Sequence, residues 1–239
     1  MKISAFLAIL LVTLAVGASA KSDGGKMYVG LDVFSVADAA DEWKKEATET
    51  IDVLVNSVGY DSAGYTMKTT PGIGVRLGLL FPFGNDGDAN WGASIGYVKG
   101  PSSTIDLLAD STVAGRGTGK DQIDTYFIRM LFEMRKSFPI GDSETRFSIG
   151  AGVGAAYGKI EDSLTYAGSF VTVLGAAPAK DSKTWTGVTW EINPSLIIPS
   201  GSTEIELGVR MAGFPVLKES TDFSKFSWNP FGAYAALHF

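Results

Sequence analysis

Residues 145–159 read TRFSIGAGVGAAYGK, and this stretch decides the fold. Phe147, Ile149, Ala151, Val153, Ala155 and Tyr157 recur at every second position, with Arg146, Ser148, Gly150, Gly152 and Gly154 between them. A period of two places each set on its own face of a β-strand. One face is apolar; the other is glycine, serine and arginine. Glycine offers nothing to pack and weakens a strand, so a solvated sheet face would carry Thr or Lys instead. Inside a narrow closed barrel, small residues make room for long side chains arriving from other strands.

Seven more segments alternate in the same way, at 27–34, 72–83, 91–99, 124–138, 185–198, 203–214 and 231–239. Short connections at 84–90, 140–144 and 199–202 are rich in the turn-formers Gly, Asp, Asn, Pro and Ser. Long connections fall at about 35–71, 100–123, 160–184 and 215–230. Short and long therefore alternate, with both ends of the strand series on the short-turn side. The expected fold is all-β: one up-and-down antiparallel transmembrane β-barrel of eight strands, with short periplasmic turns and long extracellular loops. Two further strands, at 164–166 and 170–174, would make ten; alternatively these segments extend strands five and six above the membrane.

A soluble sandwich also alternates, but three features favour lipid. Charges on the polar face balance: Asp32, Glu133, Glu191, Glu204 and Glu206 against Arg76, Arg129, Arg135, Arg146 and Arg210. A closed interior needs that balance, because an unpaired buried charge is costly. Asp32 with Arg76 and Glu191 with Arg210 are the expected pairs, being on neighbouring strands. Aromatics gather at the ends of the apolar face, with Phe81, Trp91 and Phe147 at the short-turn end and Tyr97, Tyr126 and Tyr157 at the loop end. They read as two interfacial girdles; Trp190 fits neither. The sequence finishes on an alternating strand, Phe231, Ala233, Ala235, Leu237 and Phe239.

On the segments MYVGLDVFS (27–35), GIGVRLGLLFPF (72–83) and AYAALHF (233–239), residues 21–239 resemble the OmpA/OmpX-type eight-stranded outer-membrane family. Phe231, Leu237 and Phe239 are similar to that family's C-terminal assembly signal. The resemblance implies a narrow salt-bridged barrel in the bacterial outer membrane, with lipid around it and barrel-assembly machinery as a partner through the last strand.

Lys2, the short apolar run 6–16 and Ala18-Ser19-Ala20 read as a signal peptide, residues 1–20, cut after Ala20. No stretch reaches the ~18 apolar residues of a membrane helix. With no cysteine there is neither a disulfide framework nor a thiolate site, and a formal charge of −6 argues against nucleic acid. His238, the one histidine, has no triad pattern around it and reads as a polar filler. The glycine runs at 72–78 and 150–154 lie inside strands and precede no helix, so nucleotide binding is not expected. No metal, cofactor or catalytic residue is expected. In the first long connection, Trp43, Ala47, Thr50, Ile51 and Leu54 stand at helical spacing, which predicts a short amphipathic helix near 36–56, preferably capping the barrel mouth.

The expected function is a monomeric structural anchor or surface-interaction protein, its lumen plugged by charge and its long loops meeting an unidentified partner. A narrow porin-like channel is the alternative, and a lipid-modifying enzyme a distant third.

Overall fold

The computed structural model describes residues 24–34, 40–83, 88–100, 102–173, 175–214 and 231–239. The expected signal peptide and the connection 215–230 lie outside the described residues. The strands are β1 (Lys26–Phe34), β2 (Ser62–Thr70), β3 (Gly72–Phe83), β4 (Ala89–Lys99) and β5 (Ser102–Ser111), then β6 (Gly115–Pro139), β7 (Arg146–Gly168), β8 (Ala179–Ser200), β9 (Thr203–Gly213) and β10 (Phe231–His238). Helix α1 (Ala40–Val53) runs into a π-helical turn (Leu54–Val58), and α2 (Ser169–Thr172) is a single turn.

The strand order β6-β4-β3-β1-β10-β9-β8-β7 closes on itself through the β6–β7 pairing, giving an antiparallel barrel of eight strands. Closure joins the two ends of the strand series, with Leu31 opposite Ala235 and the Phe239 amide donating to the Met27 carbonyl at 2.8 Å. The tight turns at the short-turn end use glycine in the left-handed region, Gly141 at φ 56° and Gly201 at φ 64°.

The connections 35–71 and 100–123, expected as loops, contain β2 and β5. These are not added barrel strands. β2 pairs with β5 (Thr70 opposite Ser102) in the same register in which β3 pairs with β4 (Ile73 opposite Lys99). β2 with β3, and β4 with β5, therefore each form one long strand, interrupted near Pro71 and Gly100. Lys99 faces Tyr126 and Ser103 faces Ile123, so three residues of one strand stand opposite two of β6, a β-bulge. The bulge inverts the phase. Odd-numbered residues point out of the barrel in β4, but Ser103, Ile105 and Ala109 of β5 are buried on its inner side. The count is thus eight, and segment 164–166 belongs to the prolonged β7, paired through Leu164 to both Asp121 and Ala179.

Beyond the barrel rim, β2, β5, 115–123, 160–168 and the first residues of β8 continue as a curved wall, whereas β1, β9 and β10 stop short. Helix α1 lies against the inner side of this wall. Ala47 packs with Ile105, Ile123 and Ile160, and Leu54 with Tyr60, Ala109 and Phe170. That arrangement explains the helical spacing of apolar residues in a segment that is otherwise charged; for Trp43 only the backbone is described.

Candidate functional site: the barrel lumen and its two surfaces

Alternation sorts the side chains cleanly. On β6, Phe127, Arg129, Leu131, Glu133 and Arg135 are buried, while Met130, Phe132 and Met134 are exposed. The lumen charges form one connected network. Glu191 of β8 is its hub. It accepts two hydrogen bonds from Arg76, each 2.5 Å, one from Arg129 Nη2 at 2.9 Å and one from Asn193 Nδ2 at 2.9 Å. Arg76 also reaches Glu133 at 2.9 Å, and Glu133 accepts from Tyr28 Oη at 2.7 Å and from Ser94. Arg135 bridges Glu133, at 3.2 Å, to Glu206. Arg210 binds Asp32, with its Nε 3.6 Å from Glu191 and donating to Asn193 Oδ1 at 3.3 Å.

Asp32 is therefore held by Arg210 rather than by Arg76. Pairing between neighbouring strands does not hold here, because guanidiniums in so narrow a lumen reach past the adjacent strand: Arg210 of β9 meets Asp32 of β1 across β10, and Arg76 of β3 meets Glu191 of β8 on the opposite wall. Glu191 and Arg210 do come within ion-pair distance. Four carboxylates thus face four guanidiniums, each 5% exposed or less. Glu204 and Arg146 stand apart from this group and pair at the short-turn rim, where Lys26 joins Glu204 at 3.0 Å.

Small residues admit this crowd, as at Gly78. A Cβ there would lie 2.2 Å from the ring of Tyr28, which its hydrogen bonds to Glu133 hold in place. Gly78→Val is accordingly expected to cost about 1–3 kcal/mol by overpacking, read as a lower urea midpoint of the refolded protein. Gly64→Ala, whose added Cβ meets nothing within 4 Å, should leave the midpoint unchanged.

Above the charges lies an apolar layer: Phe34, Val98, Phe127, Ala212 and Phe214, with Trp185 packed on it. Phe127 packs on Phe214 with ring centres 4.6 Å apart and planes inclined at 44°, and the Arg129 guanidinium sits 4.7 Å from the Phe214 ring centre. This layer was not anticipated. Its signal was present, since Phe34, Val98, Phe127 and Ala212 are apolar residues at lumen-facing positions near the loop end of their strands.

His238 lies 2.8 Å from Glu206 Oε2, and Ser195 Oγ donates to Oε1 of the same carboxylate at 2.7 Å. Serine and histidine share an acceptor instead of pairing with each other, so no nucleophile–base relay forms. Among the described residues no cluster of His, Asp and Glu could hold a metal ion.

The outer surface is the reverse of the lumen. Leu31, Ile73, Met130, Val153, Val188 and Val209 are each about half exposed or more. Phe81, Trp91, Phe132 and Phe147 lie toward the short-turn end of this belt, with Phe81 and Trp91 5.4 Å apart. Tyr97 and Tyr157 flank Ile128 at the other end, and Tyr126 lies one step beyond. Trp190 faces outward over Gly213, where β9 ends. Phe231, Leu237 and Phe239 of the last strand also face outward. So much contiguous apolar surface is untenable in water and is what a lipid-facing wall requires. The barrel spans a membrane.

No known protein family and no curated protein matches the sequence. Solved structures of similar arrangement include neisserial surface protein A, at 8% identity and a TM-score of 0.45, over 90% of this chain and 96% of that one. OprG of Pseudomonas aeruginosa is 12% identical with a TM-score of 0.38, over 90% and 91%. Ail, the attachment invasion locus protein of Yersinia pestis, is 14% identical with a TM-score of 0.36, over 90% and 94%.

Beyond the tyrosine band the wall is polar. Lys159 donates to Glu161 at 2.5 Å, and that hydrogen bond, reinforced by the lysine charge, holds the Glu161 carboxyl below the usual range. Thr66, Asp106, Lys120 and Thr165 lie in one row across four strands and line a depression of about 640 Å³.

Proposed function

We propose that this chain is an integral protein of the bacterial outer membrane whose barrel is a closed anchor and whose prolonged wall meets a partner outside the cell. The lumen carries the reading. A charge network in which four carboxylates meet four guanidiniums, an apolar layer above it and a helix packed on the inner side of the wall beyond support a closed lumen over a polar path. The long strands then have a purpose that a pore would not need: they hold a rigid surface clear of the lipid headgroups, with the row Thr66, Asp106, Lys120 and Thr165 as the contact face for a polar partner.

Planar-bilayer recording tests the closed anchor. The refolded protein, with insertion shown separately, is expected to give no stable single-channel current. Reproducible conductance would favour the narrow channel and make Arg76, Arg129, Glu191 and Arg210 its lining.

A further inference from the structure

We propose that the lipid-facing wall near the short-turn end holds an anionic phospholipid, its phosphate on Lys136 and an acyl chain in the groove beside it. The inference goes beyond the closed-anchor reading but rests on the barrel lying in a bilayer with its short turns on the inner side.

Within the short-turn aromatic band, between the level of Trp91 and that of Phe138, Lys136 is the one charged side chain among the described outward-facing strand residues. It is exposed, and no ion pair among the described residues involves it. In register it lies between Ala89 and Ile149, and the next outward pair toward the short turns is Phe138 with Phe147. The lysine is thus set inside the apolar belt, where a lipid-facing charge is destabilising and more so with depth. Its four-carbon stem can carry the ammonium to headgroup level. Among the described residues the position has no counter-charge, and in that leaflet a lipid phosphate can supply one.

Beside Lys136 the wall is grooved. Trp91, Phe132, Met134, Ile149 and Ala151 border a trough of about 510 Å³. Trp91 leans on Phe132 with ring centres 6.1 Å apart, forming one bank, and the small side chain of Ala151 opens the floor. An apolar channel leading to a single ammonium matches a lipid with one net negative charge. A zwitterionic lipid already carries an ammonium beside its phosphate and gains less from Lys136.

The test uses the full refolded chain in phosphatidylcholine vesicles, with equal small fractions of brominated phosphatidylglycerol or brominated phosphatidylcholine as quencher. The readout is the Trp91-dependent emission, wild type minus Trp91→Phe. Brominated phosphatidylglycerol is expected to quench about fivefold more effectively, the enrichment one basic side chain gives at a lipid surface. In Lys136→Gln the two lipids should become equal. Equal quenching in the wild type, or a preference that survives Lys136→Gln, overturns the site while leaving the barrel in its bilayer. Absence of quenching by either lipid overturns the membrane reading itself, and the site with it.

Discussion

Glu191→Ala is expected to remove about 3–5 kcal/mol of stability, the cost of breaking a buried ion pair from one side. Glu191 is 1% exposed and binds two guanidiniums at hydrogen-bond distance, with a third 3.6 Å away. After its removal Arg76 keeps Glu133, and Arg210 keeps Asp32. Among the described residues Arg129 keeps the Thr189 hydroxyl at 3.2 Å and the ring of Phe214, and no carboxylate at ion-pair distance. One positive charge is then uncompensated in a lumen that water barely reaches. The measurement is the urea midpoint of the folded protein in lipid vesicles. Combining Glu191→Gln with Arg129→Met should cost less than the two single changes added together, because charge and counter-charge leave as a pair. A wild-type midpoint for Glu191→Ala would mean a hydrated lumen and would remove the basis of the closed-anchor reading.

The membrane-spanning parts of the strands were legible in the sequence because lipid and lumen impose opposite demands on alternate residues. In 146–158 every outward position is apolar or tyrosine, and every inward one is small or charged. The prolonged strands were not legible, for a physical reason. The bulge near Gly100 inverts the facing without changing the parity, so Ser103, Ile105, Leu107 and Ala109 hold the same odd-numbered positions as the apolar residues of 91–99 yet turn inward instead of to lipid. Past the rim both faces also lose contact with lipid, and β2, SAGYTMKTT, carries only Ala63, Tyr65 and Met67 as a weak inward stripe.

The lumen residues were likewise legible as a set and not as pairs. Parity and charge are local properties of a strand. Which carboxylate Arg76 meets depends on how far the side chain reaches across the barrel, and its partner Glu191 is 115 residues away. Tyr28, Ser94 and Asn193, which complete the network, carry no charge to single them out. The aromatic layer went unread because apolar residues at inward positions look like lapses in the alternation. Their common height, near the loop end of β1, β4 and β6, becomes visible only once the register is known.

Met130→Arg is expected to destabilise the folded barrel by about 2–4 kcal/mol, the cost of an arginine on the lipid face near mid-depth. Met130 is 59% exposed and lies opposite Ile95 and Ala155, between the tyrosine band and the Trp91–Phe132 pair. The position is discriminating because sterics play no part in it. A side chain that already faces away from the protein has room for a guanidinium, so in water the substitution would be neutral within about 0.5 kcal/mol. In a bilayer the guanidinium must be drawn to an interface or carry water with it. Depth supplies the internal control. Phe138→Arg, at the short-turn edge of the belt, should cost only about 0–1 kcal/mol by the same depth dependence. Urea titration of both variants in vesicles gives the comparison. If both are neutral, the exposed apolar belt faces something other than lipid. If both are equally harmful, the loss comes from within the barrel, and the outward assignment of β6 is wrong.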